Sequence, residues 1–183
     1  METIAPRRVV VTGSESTGKT TLAERLAAHY GTVWVPEYAR AYLDGKGKPL
    51  DTSDVEPIAR GQIAAEDAGA RAANRVVILD TDLVSTTVYA EHYYVEYQAW
   101  ILSAARERIS ELYLLCGIDV PWVPDPQRDR SHLREKMHAL FRGRLAELGA
   151  NVVDITGSWD DRWRRAVVAV DAMLSARSSG TCA

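Results

Sequence analysis

Cysteine is scarce in this sequence: Cys116 and Cys182 are the two in a chain of 183 residues. The first lies in an apolar run and the second near the C-terminus, so neither a disulfide framework nor a cysteine metal site is expected. Long hydrophobic runs are missing too. No stretch reaches the roughly 18 apolar residues that a membrane span needs. Residues 1–8 are too short and polar to serve as a secretory signal before the first strand. Neither sign of charge dominates: 22 Lys and Arg stand against 25 Asp and Glu, a net charge of -3. The basic footprint of a nucleic-acid binder is therefore lacking. Internal repeats and long linkers are absent as well. The expectation is a cytoplasmic protein with no membrane or nucleic-acid partner. Its 46% apolar residues are enough to build one buried core.

What is present is an alternation of short β-branched runs with helical patterns. Apolar runs at 8–12, 32–35, 75–80, 112–116 and 151–155 read as buried strands. Between and after them, helical spacing covers 19–30, 37–43, 53–73, 83–92, 96–110, 131–148 and 160–176. Ser53 followed by Glu56 has the form of a capping box. Five apolar strands alternating with helices predict an α/β fold, a parallel sheet covered on both faces. Residues 1–176 form one domain in this reading, and 177–183 a disordered tail. Sheets of this kind hold ligands at the carboxyl ends of their strands.

Gly13-Ser14-Glu15-Ser16-Thr17-Gly18-Lys19-Thr20 matches the phosphate-binding loop pattern in full, between an expected strand and an expected helix. Its glycines let backbone N–H groups turn toward an anion, and the helix N-terminus adds partial positive charge. Lys19 is expected to face solvent and reach the β- and γ-phosphates of ATP, and the Thr20 hydroxyl to ligate Mg²⁺. Asp80 ends the strongest strand, the usual place for a carboxylate that holds Mg²⁺. Asp82, two residues on, either shares that work, contacts substrate, or caps the next helix.

Other candidates surround this centre. Glu37 follows the second strand and can accept a hydroxyl proton from an acceptor. Arg40, one turn later, contacts substrate or pairs with Glu37. Asp125, Arg128, Arg130 and Arg134 mark a charged segment that can close over a transferring phosphoryl group as a lid. Trp122, in a Pro-bracketed loop, either stacks on a flat cationic ring or anchors its loop. Tyr89 and Tyr93 add aromatic surface after Asp80. Gly157 and Ser158, after the fifth strand, offer backbone groups to a nucleotide base or simply cap a helix. Together these residues point to phosphoryl transfer from ATP to a nucleoside-like small molecule. A module that binds ATP and signals to a partner is the alternative.

In combination these segments resemble the ribosylnicotinamide kinase domain of NadR-type proteins. The resemblance runs from Val9 to about Ala176 and rests on the loop from Gly13 to Thr21, Pro36-Glu37-Tyr38-Ala39-Arg40, Asp80-Thr81-Asp82 with Thr86, Tyr89 and His92-Tyr93-Tyr94, and Asp119-Val120-Pro121-Trp122 with Asp125 and Arg128. It implies the P-loop nucleoside-kinase fold with strand order 2-3-1-4-5. It implies ATP- and Mg²⁺-dependent phosphorylation of the 5′-hydroxyl of nicotinamide riboside, and it adds Tyr38 to the substrate side and Thr21 to the ATP side. Two departures stand out. The first strand begins at Arg8, which implies a kinase without a preceding adenylyltransferase domain, and Val95 stands where the family's pattern has glycine.

Overall fold

The computed structural model describes residues 5–94, 97–122 and 133–176. Five parallel strands form one sheet: β1 (Arg7–Thr12), β2 (Trp34–Val35), β3 (Val76–Asp80), β4 (Leu112–Cys116) and β5 (Val152–Ile155). Their order is β2-β3-β1-β4-β5, as the resemblance implies. Among the described residues, seven α-helices connect and cover them: α1 (Lys19–Tyr30), α2 (Tyr38–Lys46), α3 (Val55–Ala72), α4 (Leu83–Tyr93), α5 (Ala99–Glu107), α6 (Arg134–Glu147) and α7 (Trp159–Ser175).

The period of two along each strand sorts its side chains into two cores. Val9, Val11, Val76, Ile78, Leu112, Leu114 and Cys116 pack beneath α1 and α7. Val10, Val77, Leu79, Tyr113 and Leu115 point the other way, against residues of α3 to α6 such as Ala59, Val84, Ile101 and Phe141. Every residue of β3 and β4 is buried, as a sheet covered on both faces requires. Burial also pushes the Cys116 thiol up to about 11, so it sits in the core as an inert apolar group.

Two boundaries differ from the sequence reading. The capping box before α3 is not Ser53 with Glu56. Asp51 caps a short 3-10 turn, Thr52–Asp54, by accepting the Ser53 N–H at 2.9 Å, and Asp54 accepts the Asp51 N–H at 2.7 Å. The Ser53 hydroxyl donates to the same Asp51 carboxylate at 2.5 Å, so the stronger acceptor takes the cap. Helix α2 runs through Gly45 to Lys46, three residues past the expected end, and stops at Gly47 in a left-handed conformation. Val95, the expected lid from Asp125 to Arg130, and the tail 177–183 lie outside the described residues. Among those described, no helix is long and apolar enough to cross a membrane.

Candidate active site

Strands β1 and β3 are neighbours, and their register pairs Val11 with Asp80. The loop leaving β1 therefore meets the end of β3. Gly13 adopts φ +132°, and a Cβ there would lie 2.8 Å from the Cys116 carbonyl oxygen. Gly18 adopts φ +79° at the start of α1 and Ser16 φ +54° between them. Such angles wind the backbone so that its N–H groups can line an anion nest. Thr17 Oγ1 donates to the Ser14 carbonyl at 2.8 Å, and Lys19 Nζ donates to the same oxygen at 2.9 Å. Lys19 is only 5% exposed, so it does not face solvent as the sequence reading expects; its ammonium lies along the loop it serves.

The Thr20 hydroxyl donates to Asp80 Oδ2 at 2.6 Å. A hydroxyl and a buried carboxylate side by side are hard oxygen donors. They suit Mg²⁺, which takes one or two protein oxygens and completes its shell with phosphates and water. Thr81, next in the chain, is held at φ +65° while its N–H donates to the Val11 carbonyl at 3.0 Å. A β-branched residue in this region is strained, and such strain collects at functional sites.

Beside this centre opens a cavity of about 870 Å³. Glu15 and Thr81 border it on the phosphate-loop side, Glu37 and Arg40 on the α2 side, and Thr86, Tyr89 and Tyr93 on the α4 side. Asp44, Lys48, Asp51 and Asp54 also line it. Lys46 bridges Asp51 and Asp54, and the Tyr42 hydroxyl donates to Asp54 at 3.0 Å. The rings of Tyr89 and Tyr93 lie 6.1 Å apart at an interplanar angle of 10°. The volume and the mix of aromatic and polar walls fit a site for a small organic molecule.

The family described as AAA domain matches residues 8–162, most of the chain. The chain belongs to that family. The sequence is 31% identical over 175 residues to the trifunctional NAD biosynthesis/regulator protein NadR of Salmonella typhimurium and, equally, of Escherichia coli. Those matches take in 92% of this chain and 43% of each relative, so the chain spans less than half the length of the curated relatives it matches. Among solved structures, the crystal structure of NadR protein in complex with NR superposes with a TM-score of 0.76 at 27% identity, over 93% of this chain and 50% of that one. A NadR complex with NAD and AMP-PNP gives 0.75 at the same identity and coverage. Thymidylate kinase from Ehrlichia chaffeensis shares the fold, with a TM-score of 0.63 at 15% identity over 93% of this chain and all of that one.

This family member gathers Glu37, Arg40, Tyr89 and Tyr93 at one cavity next to the phosphate loop. Other expected residues sit elsewhere. Asp82 does not line the cavity. It caps α4 by accepting the Val84 N–H at 3.1 Å, and its other oxygen accepts the Tyr113 hydroxyl at 2.7 Å beneath the sheet. Burial, then the nearby charge of Glu66, pushes its carboxyl well above the ordinary carboxylate range. Tyr38 points its ring at α3, where a Cβ on Gly61 would lie 2.0 Å from Tyr38 Cε1. Trp122 is also absent from the cavity wall. Its ring centroid lies 5.9 Å from the Arg134 guanidinium, a contact that anchors its loop. Arg134 itself donates to the Val120 carbonyl at 2.7 Å and the Ser16 carbonyl at 2.9 Å, tying that loop to the phosphate loop. Ser158 caps α7 by accepting the Asp161 N–H at 3.2 Å, and the Gly157 N–H donates to Asp119 at 2.6 Å. Thr21 borders a small crevice with Gly18 and Trp159. Asp125, Arg128 and Arg130 lie outside the described residues.

Sequence reasoning missed Arg162, which is 1% exposed. Its guanidinium donates to the carbonyls of Thr17 at 3.1 Å, Gly117 at 3.0 Å and Gly157 at 3.1 Å, and pairs with Asp119. One side chain thus joins the loops that follow β1, β4 and β5. A signal was available: Arg162 shares a helical stripe with the buried Ala166, Val170 and Met173. Likewise Gln62 and Glu66 continue the stripe of Val55, Ile58 and Ala59 on α3. A polar residue on an apolar stripe is buried, and a buried polar group needs partners.

Proposed function

We propose that the chain transfers the γ-phosphoryl group of ATP to the 5′-hydroxyl of nicotinamide riboside, giving nicotinamide mononucleotide. The observation that carries this reading is continuity. A single cavity runs from Glu15 of the phosphate loop and Thr81 after β3 to the carboxylate of Glu37 and the tyrosines of α4. A nucleoside lying there has its 5′ end toward the phosphates. The likeness to a NadR structure in complex with NR supports the same acceptor.

The backbone N–H groups of Ser14 to Lys19 and the Lys19 ammonium hold the phosphates. Mg²⁺ on Thr20 and Asp80 would neutralise charge on the phosphoryl oxygens. Glu37 orients the 5′-hydroxyl and takes its proton as the new O–P bond forms and the bond from the γ-phosphorus to the β,γ-bridging oxygen breaks. Arg128 and Arg130 of the lid stabilise the charge that spreads over the transferring group. The pyridinium ring carries a fixed positive charge, and Tyr89 and Tyr93 offer it aromatic faces. On the same walls the acids Glu15, Glu37, Asp44, Asp51 and Asp54 outnumber the bases Arg40 and Lys48, a balance that favours a cationic acceptor over a neutral one.

The test is an acceptor screen with ATP and Mg²⁺, comparing nicotinamide riboside with uridine, cytidine and thymidine. Preferential turnover of nicotinamide riboside supports the reading. Preferential turnover of a neutral nucleoside assigns the chain to a different acceptor, and ATP hydrolysis unaffected by any nucleoside assigns it to a nucleotide-binding regulatory module.

A further inference from the structure

Two buried polar residues of α3 join the walls of the acceptor cavity. Gln62 and Glu66 are one helical turn apart, 2% and 1% exposed. Gln62 Oε1 accepts the Tyr38 N–H at 3.1 Å. Its Nε2 donates to Glu66 Oε1 at 3.2 Å. That same Glu66 oxygen accepts the Leu83 N–H at 3.1 Å. The partners fix the amide's orientation, because a backbone N–H needs the amide oxygen and a carboxylate needs the amide nitrogen. The other oxygen of Glu66 is held by Arg8 and by Arg108 at 3.3 Å, which anchors the chain of bonds to the sheet and to the end of α5.

The two ends of this chain are the first residues of α2 and α4. Tyr38 directly follows Glu37. Leu83 opens the helix that carries Thr86, Tyr89 and Tyr93. A link between the two helix N-termini runs through α3. We infer that Gln62 is a positioning residue: through the Tyr38 N–H it sets where Glu37 stands relative to the α4 wall, and so aligns the acceptor hydroxyl with the phosphate loop. This rests on the kinase reading above and deepens it. Gln62 itself does not take part in proton or phosphoryl transfer. A misplacement of about 1 Å at a reacting group can cost on the order of a hundredfold in rate, so a strut of this kind bears on turnover rather than on ATP affinity.

The test is a double-mutant cycle of Gln62→Met with Glu37→Gln, read as kcat and KM for nicotinamide riboside and KM for ATP. Gln62→Met keeps the volume and removes both hydrogen bonds. A tenfold or larger fall in kcat/KM for the acceptor is expected, with ATP KM within about twofold of wild type. In the Glu37→Gln background the same change is expected to cost less than threefold, since the group being positioned is already disabled. Amide exchange at Tyr38, followed by NMR, is expected to quicken in Gln62→Met. If Gln62→Met does not fold, Gln62→Leu carries the same cycle, likewise removing both hydrogen bonds and adding no charge beside Glu66. Multiplicative losses in the two backgrounds, or parallel losses for ATP and acceptor, would reduce Gln62 to a residue of stability and overturn the inference, as would failure of both variants to fold. If wild type phosphorylates no nucleoside, the kinase reading fails, and exchange at Tyr38 still decides whether the strut exists: an unchanged rate in the variant overturns it.

Discussion

Arg162 on α7 and Asp119 after β4 form an ion pair whose arginine is wholly buried while its carboxylate is 42% exposed. The pair clasps the loops at the carboxyl ends of β1, β4 and β5, because the same guanidinium donates to the carbonyls of Thr17, Gly117 and Gly157. The phosphate loop is braced by a buried cation through the Thr17 carbonyl.

Replacing Arg162 by methionine leaves three carbonyls and a carboxylate without their donor. The carboxylate left behind is 42% exposed and screened by water, so the cost falls mainly on the carbonyls that lose their donor, about 1–3 kcal/mol, which in a chain of this size lowers Tm by about 5 °C. ATP affinity is expected to fall as the phosphate loop loses its brace. Thermal denaturation and ATP titration check both effects. Unchanged ATP binding in a destabilised variant would limit Arg162 to folding.

Asp119 makes this region sensitive to acid. Burial opposes its ionisation, but the Gly157 N–H and Arg162 outweigh burial and hold its pKa below the ordinary carboxylate value. A lowered folded pKa gives stability that is full above the unfolded value and is lost as pH falls through the folded one. Tm of wild type is therefore expected to drop between about pH 5 and pH 2 more steeply than that of Asp119→Asn, whose Tm is lower at neutral pH. Parallel curves would show that Asp119 contributes nothing through its charge.

Gly18 tests the packing of the same loop. Its φ of +79° disfavours a side chain, and a Cβ would lie 2.3 Å from Trp159 Cη2. Gly18→Ala is expected to lose stability from both causes, the left-handed backbone alone costing about 1–2 kcal/mol. Adding Trp159→Ala removes the clash and is expected to restore part of the loss, since Trp159 is 55% exposed and little used in the core. Melting temperatures of the single and double variants decide it. Full recovery in the double variant would mean that the backbone conformation carries no strain.

Much of the site was legible in the sequence because its chemistry is local. The phosphate loop and helix α1 are contiguous, and Asp80 stands at the end of an apolar strand, so spacing alone predicts them. Asp82 and Trp122 were not legible in this way. An acid two residues past a strand can turn into the site or cap the next helix, and only the packing of Tyr113 from β4 decides between them. Trp122 depends on Arg134, twelve residues on and across a segment whose path sequence does not set. Arg162, Gln62 and Glu66 escaped because their role is to join loops distant in the chain, although helical periodicity placed each on a buried stripe.

We propose that α4, rather than Trp122, recognises the ring. Tyr93→Leu is expected to lower the ratio of kcat/KM for nicotinamide riboside over uridine by roughly three- to thirtyfold, the range a lost aromatic face gives against a cation. Trp122→Leu is expected to leave that ratio within about twofold, with its loss spread over all acceptors. The reverse pattern would return the ring to Trp122.

The most direct test of the central claim is the ATP-dependent formation of nicotinamide mononucleotide by purified wild-type and Lys19→Ala protein. Lys19 Nζ lies 2.9 Å from the Ser14 carbonyl, within the loop that cradles phosphate. Wild type is expected to make the mononucleotide at a rate typical of kinases, about 1–100 per second. Lys19→Ala, folded by circular dichroism, is expected to fall by a hundredfold or more, on the scale of losing one transition-state donor. Equal product from the two proteins, or none from wild type, would contradict the account.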